Sequence, residues 1–166
     1  MARHVASLLC KRASIDSRTH ALSLFELVEG LEIEVNDSKV VDGERDIAPV
    51  EMQLVIMVAR TDPNVPEHIK ARSSLVLPTK KRLVGRPFEV DLRTNFGSQS
   101  ILDINGLPIE GSGQYEFVTE FAEANSKGWR RVASFPFMLT LSTMEVESDT
   151  KASAASAKKD KRPVSK

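Results

Sequence analysis

The stretch "VEMQLVIMVAR", Val50 to Arg60, repeats its apolar side chains at every second position. Val50, Met52, Leu54, Ile56 and Val58 fall on one face of an extended chain. Val55, Met57 and Ala59 make the second half of the other face apolar too. A period of two belongs to a strand, and apolar residues on both faces belong to a strand covered on both sides. "RPFEVDLR" (Arg86–Arg93) alternates more cleanly, with Phe88, Val90 and Leu92 inward and Glu89, Asp91 and Arg93 outward. "QYEFVTEFA" does the same through Tyr115, Phe117 and Phe121, and "ASFPFMLTL" through Ala133, Phe135, Phe137, Leu139 and Leu141. His4–Cys10, Ala21–Val28, Leu31–Val35, Ile69–Leu77 and Gln99–Ile104 are further candidates. The spacing predicts roughly nine strands joined by short polar segments, an all-β, antiparallel two-sheet β-sandwich of immunoglobulin-like or C2-like type.

No segment carries three turns of amphipathic helix; "VTEFAEANSKGW" reads as a strand ending in a short turn. Pro63 and Pro66 mark a loop, as does Pro78 with "TKKR" behind it. Pro136 lies inside the last strand pattern and predicts an edge position or a bulge there, because proline has no N–H for a ladder. "GSGQYEFVTEF" (Gly111–Phe121) poses a choice between a phosphate cradle and a turn. A cradle needs a helix N-terminus behind the glycines, whereas strand alternation follows here, so the glycines are read as supplying a tight turn.

The ending "GSGQYEFVTEF…GWRRVASFPFML", with the opening "HVASLLCKRASID…THALSLFELVEGLEI", resembles a family of small bacterial β-sandwich proteins of unknown function. The likeness covers both ends of the body and is loose at Asn36–Pro49 and Pro63–His68. It implies a sandwich fold and brings no active site, because its motifs are structural.

Charge is unevenly placed although the formal net charge is zero. From Lys151 onward there are six Lys or Arg against one acid, which leaves residues 1–150 with 17 bases against 22 acids. The body, residues 1–144, is mildly acidic. Residues 145–166 hold no aromatic residue and cannot bury enough apolar area to offset the entropy of ordering, so a disordered basic tail is expected. Cys10 is the only cysteine, which rules out an intrachain disulfide and a Cys-based zinc site. The apolar run before Lys11 spans only about six residues, shorter than a signal peptide's core, and a cytoplasmic location is expected.

Little in the sequence carries chemistry. His4, His20 and His68 have no metal-ligand spacing, and no G-x-S-x-G elbow occurs. His4 and Cys10 are expected on the same strand face, six residues apart, about 20 Å, too far for a thiolate–imidazole pair. Asp37, Asp42, Glu44, Asp46, Asp62, Asp103 and Asn105 could supply oxygen ligands to Ca²⁺ if their loops converge, although Lys39 and Arg45 oppose this. Catalytic residues, metal ligands and cofactors are therefore not assigned. Trp129, Arg130 and Arg131, with Lys80, Lys81 and Arg82, are the candidate contacts to a ligand or partner, the first three by stacking and charge. Lys80–Arg82 also fits a solvated turn. The expected function is a non-enzymatic binding or scaffold module acting through loops or a sheet edge, with a protein partner or self-association. Nucleic acid or anionic membrane would be reached only weakly, through the tail. The alternatives are a C2-like domain associating with membranes through Ca²⁺ or anions, and an enzyme assembled from His20, His68, Cys10 and Asp103.

Overall fold

Period-two alternation becomes ten strands in the structure, a computed structural model that describes residues 2–35, 47–123 and 128–143. They are β1 (Arg3–Ile15), β2 (Leu22–Leu27), β3 (Gly30–Val35), β4 (Ile47–Ala59), β5 (Glu67–Val76), β6 (Arg82–Val84), β7 (Phe88–Leu92), β8 (Gly97–Pro108), β9 (Gly113–Glu123) and β10 (Arg130–Thr143). A four-stranded sheet runs β2-β1-β4-β8, and a six-stranded sheet runs β3-β10-β9-β5-β6 with β7 alongside β5. Among the described residues no helix is long and apolar enough to cross a membrane.

The inward residues of both sheets form one core. Leu9, Leu54 and Ile56 face Ile69, Leu75, Val90, Phe117, Phe137 and Leu139, and the rings of Tyr115 and Phe117 lie 5.7 and 5.5 Å from that of Phe137. Each such buried side chain contributes about 1.5–3 kcal/mol relative to exposure, which is what holds the layers together. Gly111 and Gly113 adopt φ of 120° and 150° and turn the chain straight into β9, as the turn reading expects. The buried Tyr115 hydroxyl donates to the Gly111 carbonyl at 3.0 Å and accepts from the Glu110 N–H at 3.1 Å. Ser112 Oγ accepts from the Leu141 N–H at 2.8 Å, so the serine between the glycines serves the backbone.

Three expectations are corrected. The tenth strand, β6, covers three residues, too few to display alternation, and Arg82 of the anticipated turn belongs to it. The sandwich is not wholly antiparallel: β3 crosses to the second sheet and runs parallel to β10, Gly30 opposite Met138 through Val35 opposite Thr143. β10 therefore has neighbours on both sides from Met138 onward, while its earlier part, Pro136 included, keeps the expected edge position among the described residues. Pro136 is accommodated because β3 begins only at Met138, leaving β9 as the neighbour at the proline, and the register shift in β10 falls at Arg131/Ala133 instead. Finally, a bulge between His4 and Ala6 reverses the facing of β1. His4 pairs with inward Val58, whereas Cys10 pairs with Gln53 on the outer side.

Beyond Cys10, β1 leaves β4, and the β1–β2 hairpin bends back as an arm over the outer face of the four-stranded sheet. Ala13, Leu22 and Leu24 of the arm pack on Cys10, Val55, Met57 and Ile101. This second small core explains why β4 is apolar on both faces. Gln53 Oε1 accepts from the arm's Ala13 N–H at 2.5 Å while its Nε2 donates to Asp103 of β8 at 2.7 Å.

Candidate functional site

The six candidate contact residues separate into three places. Arg82 and Arg131 reach the outer face of the six-stranded sheet, where each meets a carboxylate of β9. Glu120 is clamped by Arg72 at 2.7 Å and by Arg82, and Glu116 pairs with Arg131 at 2.6 Å. Trp129 is met by the protein's own cation, the Arg72 guanidinium, 4.2 Å from its ring centroid. Burial pushes the Glu120 carboxyl up, but the hydrogen bonds and charges of Arg72 and Arg82 outweigh it and hold the group below the ordinary carboxylate value. Lys80 and Lys81 occupy the β5–β6 turn, Lys80 at φ 67° and Lys81 with its Nζ 3.6 Å from Glu110. Arg130 lines a cleft of about 440 Å³ at the end of the sandwich, with Arg3, His4 and Arg131. The guanidiniums of Arg72, Arg82 and Arg131 on the face that carries Trp129 are thus each engaged by a carboxylate of β9 rather than forming an open cationic patch.

The titratable residues weighed for catalysis are not gathered into one site. His68, on β5, sits 3.3 Å from Glu89 on the outer face of the six-stranded sheet. Cys10 is wholly buried under the arm with its thiol directed at the Gln53 carbonyl, and burial raises its pKa, so the thiolate is disfavoured. His20 stands at the tip of the arm at φ 56°, and Asp103 accepts from Gln53. His4 Nε2 lies 2.8 Å from Ser7 Oγ, which approaches Thr119 Oγ1 at 3.4 Å on the opposite sheet. Burial lowers the His4 pKa against the opposing backbone contact with Ala6, so this chain is a neutral polar bridge between the layers.

Of the anticipated calcium ligands, Asp37, Asp42, Glu44 and Asp46 lie outside the described residues. Asp62 follows the end of β4, while Asp103 lies within β8 opposite Gln53, roughly 20 Å or more from Asp62 along β4, so these two carboxylates do not converge. Among the described residues no three His, Cys, Asp or Glu side chains come together to hold a metal ion.

Two further concavities were not visible in the sequence. One is an apolar slot of about 290 Å³ where the edges of the two sheets part, between β8 and β6. Leu54, Leu75, Leu83, Ile104 and Phe117 line it, and the buried Ser73 hydroxyl, which has no hydrogen-bond partner among the described residues, belongs to the same lining. The other is a groove of about 580 Å³ beneath the tip of the β1–β2 arm. Both depend on which strands end at an edge and where a hairpin bends, and local alternation is blind to either.

No family model matches the chain, and neither does any curated protein. Among solved structures, the Pseudomonas fluorescens alkylpurine DNA glycosylase AlkC bound to DNA containing an abasic site analog is similar over 66% of this chain and 27% of that one, at 11% identity and a TM-score of 0.38. The N-terminal domain of PorA is similar over 82% of this chain and 97% of that one, at 12% identity and a TM-score of 0.31. This chain thus corresponds to about a quarter of the glycosylase's length, and both likenesses are too slight to bear on function.

Proposed function

We propose that the chain is a non-enzymatic binding module that takes up an extended segment of a partner protein by strand addition along β8. The observation that carries this reading is a long strand edge, unpaired among the described residues, lying beside an apolar slot. β8 spans Gly97–Pro108 and is bonded only to β4. Its outer edge offers a row of backbone donors and acceptors, the chemistry that strand addition uses.

The other edges serve less well. β2 is interrupted at Glu26, where φ is 54°, and β3, β6 and β7 have six, three and five residues. β8 stays regular from Gly97 to Asn105, before Gly106 at φ 102°. A strand added there sends alternate side chains over Leu83 and Leu75 into the slot, where Ser73 offers a hydroxyl. Its other face lies beside Asp103, which favours Lys or Arg at the facing position. A segment of alternating apolar residues with one or two outward bases fits this surface.

The tie from Tyr115 to the backbone four residues upstream supports an immunoglobulin-like rather than a C2-like arrangement. Membership in the bacterial β-sandwich family of unknown function is part of the same proposal, supported by the glycine turn leading into β9. A cytoplasmic location belongs to it too, supported by a single cysteine held as a buried thiol.

Peptide display against the purified chain, followed by amide chemical-shift mapping, tests the reading. Enriched peptides are expected to alternate apolar residues and to shift β8 and β6. Val84, 57% exposed at the slot, is the residue to change: Val84→Lys should leave the spectrum folded and weaken binding at least about tenfold. Shifts confined to β2 or to the outer face of the six-stranded sheet, or no enrichment at all, overturn it. A dimer with β8 amides newly protected would replace the partner by a second copy.

A further inference from the structure

The groove beneath the arm is a separate place with a different chemistry. Three stretches of chain meet there: the start of β1, the arm's tip, and the connection from β7 into β8. Each brings an apolar side chain that remains accessible: Val5 at 48%, Ile15 at 39% and Phe96 at 49%. Met57 forms part of the floor, and Arg3 and His20 stand among the lining residues. Isolated exposed apolar residues are ordinary, but three converging on one concavity of this size form a ligand-sized apolar surface.

The lining itself carries charge of one sign. None of the described residues that line the groove is Asp or Glu, and the Arg3 guanidinium has no hydrogen-bond or ion-pair partner among the described residues. The acid nearest the arm's tip, Asp16, is committed to its own turn, where its Oδ1 accepts from the Arg18 and Thr19 N–H groups at 2.9 and 2.7 Å and from the Thr19 hydroxyl at 2.9 Å. The second apolar cluster fixes the arm from Ala13 to Leu24, so the groove's outer wall is held in place rather than swept by solvent.

We propose that this groove binds a small amphiphilic carboxylate, its alkyl or aryl part lying against Val5, Ile15, Met57 and Phe96 and its carboxylate meeting Arg3. The apolar part supplies most of the affinity through area removed from water, and the arginine selects the acid over a neutral counterpart by a charge-assisted, bidentate hydrogen bond. Strand addition at β8 is not required for this, and either proposal stands if the other fails.

Amide-resolved titration of the full chain with decanoate, and with decan-1-ol as the neutral probe, tests it. Decanoate is expected to shift the amides of Val5, Gly97, Ser98 and Gln99 saturably, with decan-1-ol binding at least about tenfold more weakly. Arg3 is exposed, so Arg3→Gln should keep the fold while bringing decanoate down to the level of the alcohol. Val5→Glu sets an acid in the lining and should abolish decanoate binding with the six-stranded sheet's resonances unchanged. The proposal is overturned if decanoate produces no saturable shifts or shifts elsewhere, or if decanoate affinity survives Arg3→Gln.

Discussion

Glu120 shows how one side chain organises a surface. Its side chain is 8% exposed and lies between two guanidiniums on neighbouring strands. Because the folded carboxyl titrates below its ordinary value of 4.5, its stabilising effect is complete above about pH 4.5 and is lost as pH falls through the folded value. Glu120→Gln leaves Arg72 and Arg82 facing one another and should cost about 2–3 kcal/mol at pH 7, less than a fully buried pair because Arg82 is partly solvated. Urea unfolding measures this, and the decline of stability below pH 4.5 should be shallower in the variant. An unchanged midpoint would mean that solvent already screens the cluster. The alternation in "QYEFVTEFA" correctly turns Glu120 away from the core, yet nothing in it shows that Arg72, 48 residues upstream, arrives there. Facing can be read from one strand; a partner requires knowing which strands are neighbours.

Among the elements, the β1–β2 arm depends most on a single residue. Gln53 accepts from Ala13 and donates to Asp103, so its amide joins the arm to the edge strand across the face of β4. Gln53→Leu keeps the volume but leaves the Ala13 N–H, in a buried setting, without its acceptor, a loss of roughly 1–3 kcal/mol. Hydrogen exchange should quicken from Ala13 to Leu24 while β9 and β10 keep their protection; uniform exchange would show that the apolar contacts alone fix the arm. The sequence discloses the strands well because each buries one or two faces against a core, which stamps a period on the side chains. It discloses the arm less well, since the bend after Cys10 shows only as the break in pattern at "CKRA". The parallel alignment of β3 with β10 leaves no local trace, since pairing direction is set by how the chain returns. The β8 edge was hidden for a related reason: "SILDIN" would read the same in the middle of a sheet.

Across the whole molecule, the two sheets share one core and should unfold together, with calorimetric and van't Hoff enthalpies in agreement. Refolding should be slow, in the range of milliseconds to seconds, because Gly30 must find Met138 across most of the chain before the six-stranded sheet gains its last strand. Stopped-flow refolding that recovers the full native signal in well under a millisecond would contradict this. The same pairing has a practical bearing on display. Thr143 ends beside Val35, at the opposite pole from Arg3 and Arg130, and β3 and β6 form opposite margins of the six-stranded sheet. A reporter group placed on Ser142 would therefore leave the hollow under the hairpin, which Arg3 lines, free to be filled.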